Sequence, residues 1–96
     1  TASDRIQNVP TEFSRALIAR LQQAPAEAAA LMAPDAGAVT AVDTTDGLRT
    51  SFATGEIVHL RPSGNAPELR CYAEADDESR ARALCATCLA RIAATL

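Results

Sequence analysis

The hydrophobic residues change their spacing along the chain, from a helical spacing to a strand spacing and back again. In the first third, large apolar residues recur every four positions, at Phe13, Leu17 and Leu21. This spacing predicts an amphipathic helix that begins near an N-cap at Thr11 and is interrupted at Ala24-Pro25. A second short helix is predicted over residues 26–32. Residues 1–10 are expected to form a lead-in with a short extended piece.

The middle of the chain carries four short stretches with the alternating pattern of β-strands. They cover residues 38–43, 48–53, 56–61 and 68–75. The turn-forming pairs Asp46-Gly47 and Thr54-Gly55 separate the first three stretches, which predicts tight turns and an antiparallel meander. In the fourth stretch, a period of two places Leu69 and Cys71 on one face and Arg70 on the other.

The end of the chain returns to helical spacing. Residues 76–78 are all acidic and would place negative charge at the positive end of a helix dipole. One apolar stripe follows, formed by Leu84, Cys85, Cys88, Leu89, Ile92 and Leu96. Helices at both ends with strands between them predict an α+β fold of two layers, in which helices pack on an antiparallel sheet of about four strands.

Composition and charge narrow the class of protein. A chain of 96 residues predicts one small domain over residues 1–96, with a thin core because alanine dominates the apolar residues and aromatic residues make up only 3%. The net charge of −3 argues against nucleic acid as a partner. The sequence contains no apolar run of 18 residues, so no membrane span is expected. The sequence begins at Thr1 without an initiator Met or a signal peptide, so we expect a piece of a longer, cytoplasmic protein.

Residues 61–70, with the sequence Arg-Pro-Ser-Gly-Asn-Ala-Pro-Glu-Leu-Arg, hold the most concentrated candidate chemistry. Arg61 and Arg70 offer planar guanidinium groups that match phosphate oxygens. Ser63 adds a hydroxyl donor, and Gly64 allows the backbone to turn its N–H groups inward. Both arginines lie at the loop ends of adjacent predicted strands, where like charges repel unless an anion joins them. The alternative interpretation is an ordinary hairpin turn with solvated arginines.

The same loop resembles the Arg-Pro-Ser-Gly-Thr-Glu-Pro phosphate loop of the α-D-phosphohexomutases, the family of phosphomannomutases and phosphoglucomutases. Residues 3–12 resemble the segment that leads into the last domain of these enzymes, and residues 42–49 resemble its Asp-Gly hairpin. Residues 61–75 match the loop and its exit strand. The resemblance is strongest to bacterial phosphomannomutases of the actinobacterial type, in which Asn-Ala-Pro replaces Thr-Glu-Pro as it does at residues 65–67.

The resemblance implies a fold and a reaction. The fold is that of a fourth, C-terminal domain of the TATA-binding-protein-like type, and the enzyme interconverts the 1- and 6-phosphates of mannose or glucose. Other domains would supply a phosphoserine and a carboxylate-bound Mg²⁺, so the 96 residues alone are expected to hold no catalytic residue and no metal, and to be inactive. The implied partners are a hexose phosphate and those other domains. The implied phosphate-binding residues are Arg61, Ser63, Gly64, Asn65 and Arg70.

Other candidate chemistry is weaker. Cys85 and Cys88 have the C-x-x-C redox spacing, but they lie on the apolar stripe of a predicted helix, which favours a buried structural role. A zinc site could combine them with Cys71 and His59, although His59 is predicted on the opposite strand face from Cys71. His59 could join the anion site if protonated, and a partly exposed strand residue without a role is the alternative. The alternative function is a stand-alone interaction or regulatory module.

Overall fold

The computed structural model describes all residues, Thr1–Leu96, as five strands and three helices. The strands are β1 (Ala2–Gln7), β2 (Val39–Asp43), β3 (Leu48–Phe52), β4 (Ile57–Pro62) and β5 (Glu68–Glu74). The helices are α1 (Thr11–Gln23), α2 (Pro25–Met32) and α3 (Glu78–Ala93). The four predicted strands and the second predicted helix match these bounds to within one residue at each end. No helix combines the length and the apolar character that crossing a membrane requires.

All five strands form one antiparallel sheet in the order β1-β5-β4-β3-β2. The predicted meander of β2 to β5 is confirmed. The predicted lead-in differs, because residues 2–7 pair along the free edge of β5 and bring the sheet to five strands. Only Ala2 and Ile6 of β1 pack against the core, so this edge strand carries too few apolar residues for a period of two to be visible in the sequence.

The three helices lie on one face of the sheet and enclose a core of 21 buried apolar residues between the two layers. Helix α3 buries Leu84, Cys88 and Ile92, as its spacing predicts. Leu96 does not continue this stripe, because the helix ends at Ala93 and Leu96 is 59% exposed. The predicted α+β fold of two layers is confirmed.

The three cysteines are buried and unpaired in this core. Hydrogen bonding with Cys71 and burial raise the pKa of the Cys85 thiol, so it stays protonated and a poor nucleophile near neutral pH. This environment agrees with the structural role predicted for Cys85 and Cys88. The zinc arrangement considered from the sequence does not form, since no group of three or more His, Cys, Asp and Glu side chains is placed to hold a metal ion.

The helix starts differ in how they are capped. Pro10 occupies the N-cap position of α1 and Thr11 is its first helical residue, so the predicted capping role of Thr11 is wrong. Asp77 caps α3, and its carboxylate accepts a hydrogen bond of 2.8 Å from the backbone N–H of Arg80. The predicted helix start at the acidic residues 76–78 is therefore confirmed, with Asp77 as the N-cap and Glu78 in the first turn.

The Arg80 side chain ties three connecting segments together. Its guanidinium group donates two hydrogen bonds to Glu56, at 2.7 and 2.9 Å, and two to Asp35, at 2.8 and 3.1 Å. Glu56 lies in the β3–β4 turn, Asp35 follows α2, and Arg80 stands in the first turn of α3. Bidentate pairs fix orientation as well as distance, so the cluster holds the three segments in place. It lies at the end of the domain opposite residues 63–67, because the β3–β4 turn and the β4–β5 loop stand at opposite ends of β4.

We expect Arg80→Gln to lower the free energy of unfolding by about 1–3 kcal/mol near neutral pH, because two carboxylates lose charge-assisted partners. Arg80 lowers the pKa of both Asp35 and Glu56. A carboxyl group whose pKa is lower in the folded state stabilises the fold above its unfolded pKa of about 4, and this contribution is lost as the pH falls through the folded pKa. Urea unfolding of both proteins should therefore show a difference that shrinks from about pH 7 to about pH 3.

The control for this prediction is Arg82→Gln, which removes only an exposed pair between Arg82 and Glu78 one helical turn apart. Such a pair contributes about 0.3–0.5 kcal/mol. A difference between the wild type and Arg80→Gln that stays constant across the acidic range would assign the loss to packing and not to the ion pairs.

Candidate functional site

The two arginines that flank the loop stand opposite each other in the sheet. Arg61 on β4 is the register partner of Arg70 on β5, and Arg70 is in turn the partner of Arg5 on β1. Side chains in register on adjacent strands share a face, and here it is the face away from the helices. The three side chains are 44–52% exposed. We call Arg5, Arg70 and Arg61 the arginine row.

Two carboxylates of the protein offset the like charges of this row. Glu68 is almost fully buried, and its Oε2 lies 3.1 Å from Arg70 Nε and 3.6 Å from Arg5 Nη1. Asp46 Oδ2 lies 3.2 Å from Arg61 Nε. The two flanking arginines therefore come together without an external anion, contrary to the expectation from the sequence, because Glu68 and Asp46 partly neutralise them.

The loop between β4 and β5 keeps some backbone N–H groups free. The Ser63 N–H donates to the Glu68 carbonyl at 3.0 Å, and the Asn65 N–H donates to Ser63 Oγ at 3.3 Å. The N–H groups of Gly64 and Ala66 have no acceptor within the protein. Among the implied phosphate-binding residues, Gly64 therefore has a free backbone N–H, whereas the N–H of Asn65 is engaged by Ser63.

The backbone at Gly64 does not adopt the conformation that glycine alone favours. The φ angle of Gly64 lies outside the left-handed region, so the conformational freedom of glycine at positive φ is not used in this turn. A Cβ atom built on Gly64 would meet nothing within 4 Å, which leaves the backbone open to the approach of a ligand. The far end of the loop is fixed by a 2.7 Å hydrogen bond from the Val9 N–H to the Pro67 carbonyl.

A shallow hollow of about 330 Å³ lies beside the arginine row. Its lining residues are Ser3, Asp4, Arg5, Arg70 and Tyr72. Contact with the side chain of Tyr72, and then with Glu68, raises the pKa of the Arg70 guanidinium group, which therefore keeps its charge at any physiological pH. The hollow thus has a permanent cation in its wall.

His59 contributes to the hairpin beside the site. Its Nε2 contacts the backbone carbonyl of Asp46, and its ring lies 5.8 Å from the ring of Tyr72. Because this contact uses the ring nitrogen, His59 supports the β2–β3 connection that also carries the carboxylate facing Arg61. This arrangement gives His59 a structural contact that the sequence did not predict.

Three residues of this arrangement were not among the predicted site residues. Arg5 was missed because β1 lacks an apolar alternation, and Asp46 because its contact with Arg61 crosses a hairpin. Glu68 did leave a signal, since residues two apart on a strand share a face and Glu68 stands two positions before Arg70. The structure brings Arg61 and Arg70 together as predicted from strand parity, and it places Ser63, Gly64 and Asn65 in the loop between them.

Comparisons with known proteins show which family the chain belongs to. Residues 8–90 match the family described as phosphoglucomutase/phosphomannomutase, C-terminal domain. The chain is 50% identical over 88 residues to a phosphomannomutase of Sinorhizobium fredii. The aligned region covers 92% of this chain and 18% of that protein. It is 54% identical over 54 residues to a phosphomannomutase of Salmonella muenchen, and this aligned region covers 56% of this chain and 11% of that protein. The chain thus spans less than a fifth of the length of these relatives. It belongs to the family of phosphoglucomutase/phosphomannomutase C-terminal domains.

Proposed function

We propose that this chain is the C-terminal, substrate-phosphate-binding domain of a longer phosphohexomutase. That enzyme interconverts hexose 1-phosphate and hexose 6-phosphate by phosphoryl transfer within the active site. The names of the two relatives favour mannose phosphates among the hexose phosphates. In this proposal the domain binds the phosphate that is not reacting, and the binding energy orients the reacting end of the substrate.

The observation that carries the proposal is the placement of Arg61 and Arg70 as register partners at the two ends of a loop with a free Gly64 N–H. Arg61 has one carboxylate neighbour and no side-chain hydrogen bond, because its contact with Asp46 is an ion pair alone. Arg70 donates from its Nε to Glu68, and its guanidinium group also lies beside the Tyr72 side chain. Both guanidinium groups therefore keep donors for phosphate oxygens, which they match in geometry.

The remaining chemistry is assigned to other domains. No set of three or more potential ligands in this chain is placed for a metal ion, so these residues do not fit the Mg²⁺ implied by the family. The phosphoserine and the ion are proposed for the rest of the longer, cytoplasmic enzyme. The residues of this chain bind, orient and neutralise the distal phosphate, and the chain alone is expected to be inactive.

Titration of the ¹⁵N-labelled chain with inorganic phosphate tests the proposal. We expect weak binding, with a Kd of about 1 mM or higher, because the other half of the cleft is absent and few contacts form. The shifted signals should be the backbone amides of Gly64 and Ala66 and the guanidinium groups of Arg61 and Arg70. A parallel titration with sodium chloride at matched ionic strength gives the contribution of screening alone.

Two outcomes of the same titration would contradict phosphate binding at the loop. Saturable shifts confined to the helical layer would move phosphate binding away from the loop. The absence of any saturable shift up to about 50 mM phosphate, which corresponds to a binding free energy weaker than about −2 kcal/mol, would favour the alternative of an interaction module.

A further inference from the structure

We infer that Arg5 is a third phosphate-contacting arginine of this site, so that the row Arg5, Arg70 and Arg61 binds one phosphate group from three adjacent strands. The inference rests on the proposed function and adds to it a residue from the N-terminal strand. Arg5 lies 56 positions before Arg61, outside the phosphate-loop motif and within residues 3–12, the segment that resembles the entry to the last domain.

Register places Arg5 where it can reach the same anion. Arg70 pairs with Arg61 on one side and with Arg5 on the other, so it occupies the centre of the row. Adjacent strands lie about 4.8 Å apart, so the outer two arginines are about 10 Å apart at their backbones, within reach of two long side chains that converge over the central strand. Arg5 also shares the lining of the hollow with Arg70 and Tyr72.

The hydrogen-bonding capacity of Arg5 is unused. Its Nη1 lies 3.6 Å from Glu68 Oε2, which is an ion pair without a side-chain hydrogen bond. The same carboxylate oxygen accepts a hydrogen bond from Arg70 Nε at 3.1 Å. An arginine that has a charge neighbour and five free N–H donors is oriented and available, which is the state that binding an oxyanion requires.

The row holds one more positive group than the carboxylates that pair with it. Three guanidinium groups face two carboxylates, those of Glu68 and Asp46. A third carboxylate, that of Asp4, lies on the rim of the hollow, where it accepts a 2.8 Å hydrogen bond from the backbone N–H of Arg5. The near balance keeps the row together without a ligand, and Glu68 is too buried to compete with phosphate for the outward-facing donors.

The test compares variants of the complete polypeptide that carries this domain, with inorganic phosphate as a competitive inhibitor. We expect Arg5→Ala to raise the inhibition constant of phosphate and to lower kcat/KM by the same factor, about 3- to 20-fold. This is less than a fully desolvated charge-assisted contact gives, because Arg5 is half exposed. Arg5→Lys should fall between the wild type and Arg5→Ala.

Arg20→Ala is the matched control. Arg20 is 56% exposed, against 52% for Arg5, and it also forms one ion pair, with Glu27, but on the helical layer. It should leave both constants unchanged. If Arg61→Ala weakens phosphate inhibition and Arg5→Ala does not, the inference is overturned and the proposed function stands. If neither variant weakens it, both fail. A change in the melting temperature alone would make Arg5 a structural residue and also overturn the inference.

Discussion

In the proposed phosphohexomutase, Arg61→Ala is expected to lower kcat/KM by about 10- to 150-fold, the loss of one charge-assisted contact to phosphate worth about 1.5–3 kcal/mol. The fold should tolerate the change. Arg61 is 48% exposed, and its carboxylate neighbour Asp46 is 60% exposed, so this ion pair contributes little to stability. Steady-state kinetics together with urea unfolding separate the two effects.

Arg61→Lys should restore only part of this loss. A lysine keeps the charge but offers a point charge where the guanidinium group offers a planar fork for two oxygens. Arg49→Ala serves as the matched control, since Arg49 is 40% exposed on the same sheet face and forms one ion pair, with Glu74 at 3.1 Å. Arg49 lies outside the arginine row, and its loss should change kcat/KM by less than about 3-fold. Wild-type kinetics from Arg61→Ala would remove phosphate binding from this loop.

The sequence predicts the parts of this fold that repeat a local pattern. Strands β4 and β5 follow from the alternation of Val58 and Leu60 and of Leu69 and Cys71, with the solvent-facing residues between them. Strand β1 could not be predicted in the same way. An edge strand with one solvated face needs few apolar residues. Its pairing with β5 joins positions 61–71 residues apart, and no local pattern in the sequence links such distant positions.

In the candidate site, too, the residues of a local motif could be predicted, whereas those that depend on distant strand pairing could not. Residues of the loop motif, such as Arg61 and Ser63, are visible in the sequence because their chemistry is concentrated in ten positions. The partners that set their charge balance, Glu68, Asp46 and Arg5, depend on cross-strand register and on side-chain burial. The glycines differ in the same way: Gly64 of the loop motif does not have a positive φ, whereas Gly47 of the predicted Asp46-Gly47 turn has a positive φ and a close backbone neighbour on β4.

Gly47→Ala is therefore expected to lower the free energy of unfolding by about 2–5 kcal/mol, a shift of roughly 10–30 °C in Tm. Gly47 has a φ of +72°, where an L-residue is strained by about 1–2 kcal/mol. A Cβ atom there would also overlap the carbonyl oxygen of Leu60 and approach Arg61 Cα to 3.2 Å, and such overpacking typically costs about 1–3 kcal/mol. The displaced turn would in addition carry Asp46 away from Arg61.

Gly64→Ala should behave in the opposite way. Its φ lies outside the left-handed region and its Cβ would project into open space, so stability should stay unchanged or rise by up to about 1 kcal/mol through a stiffer unfolded chain. Phosphate binding should nevertheless weaken, because the methyl group crowds the free N–H that a phosphate oxygen would approach. Thermal unfolding and phosphate titration of both variants check the pair. A Gly64→Ala chain that binds phosphate as the wild type does would show that the ligand does not approach this backbone, while a stable Gly47→Ala chain would show that the β2–β3 turn can relax away from β4.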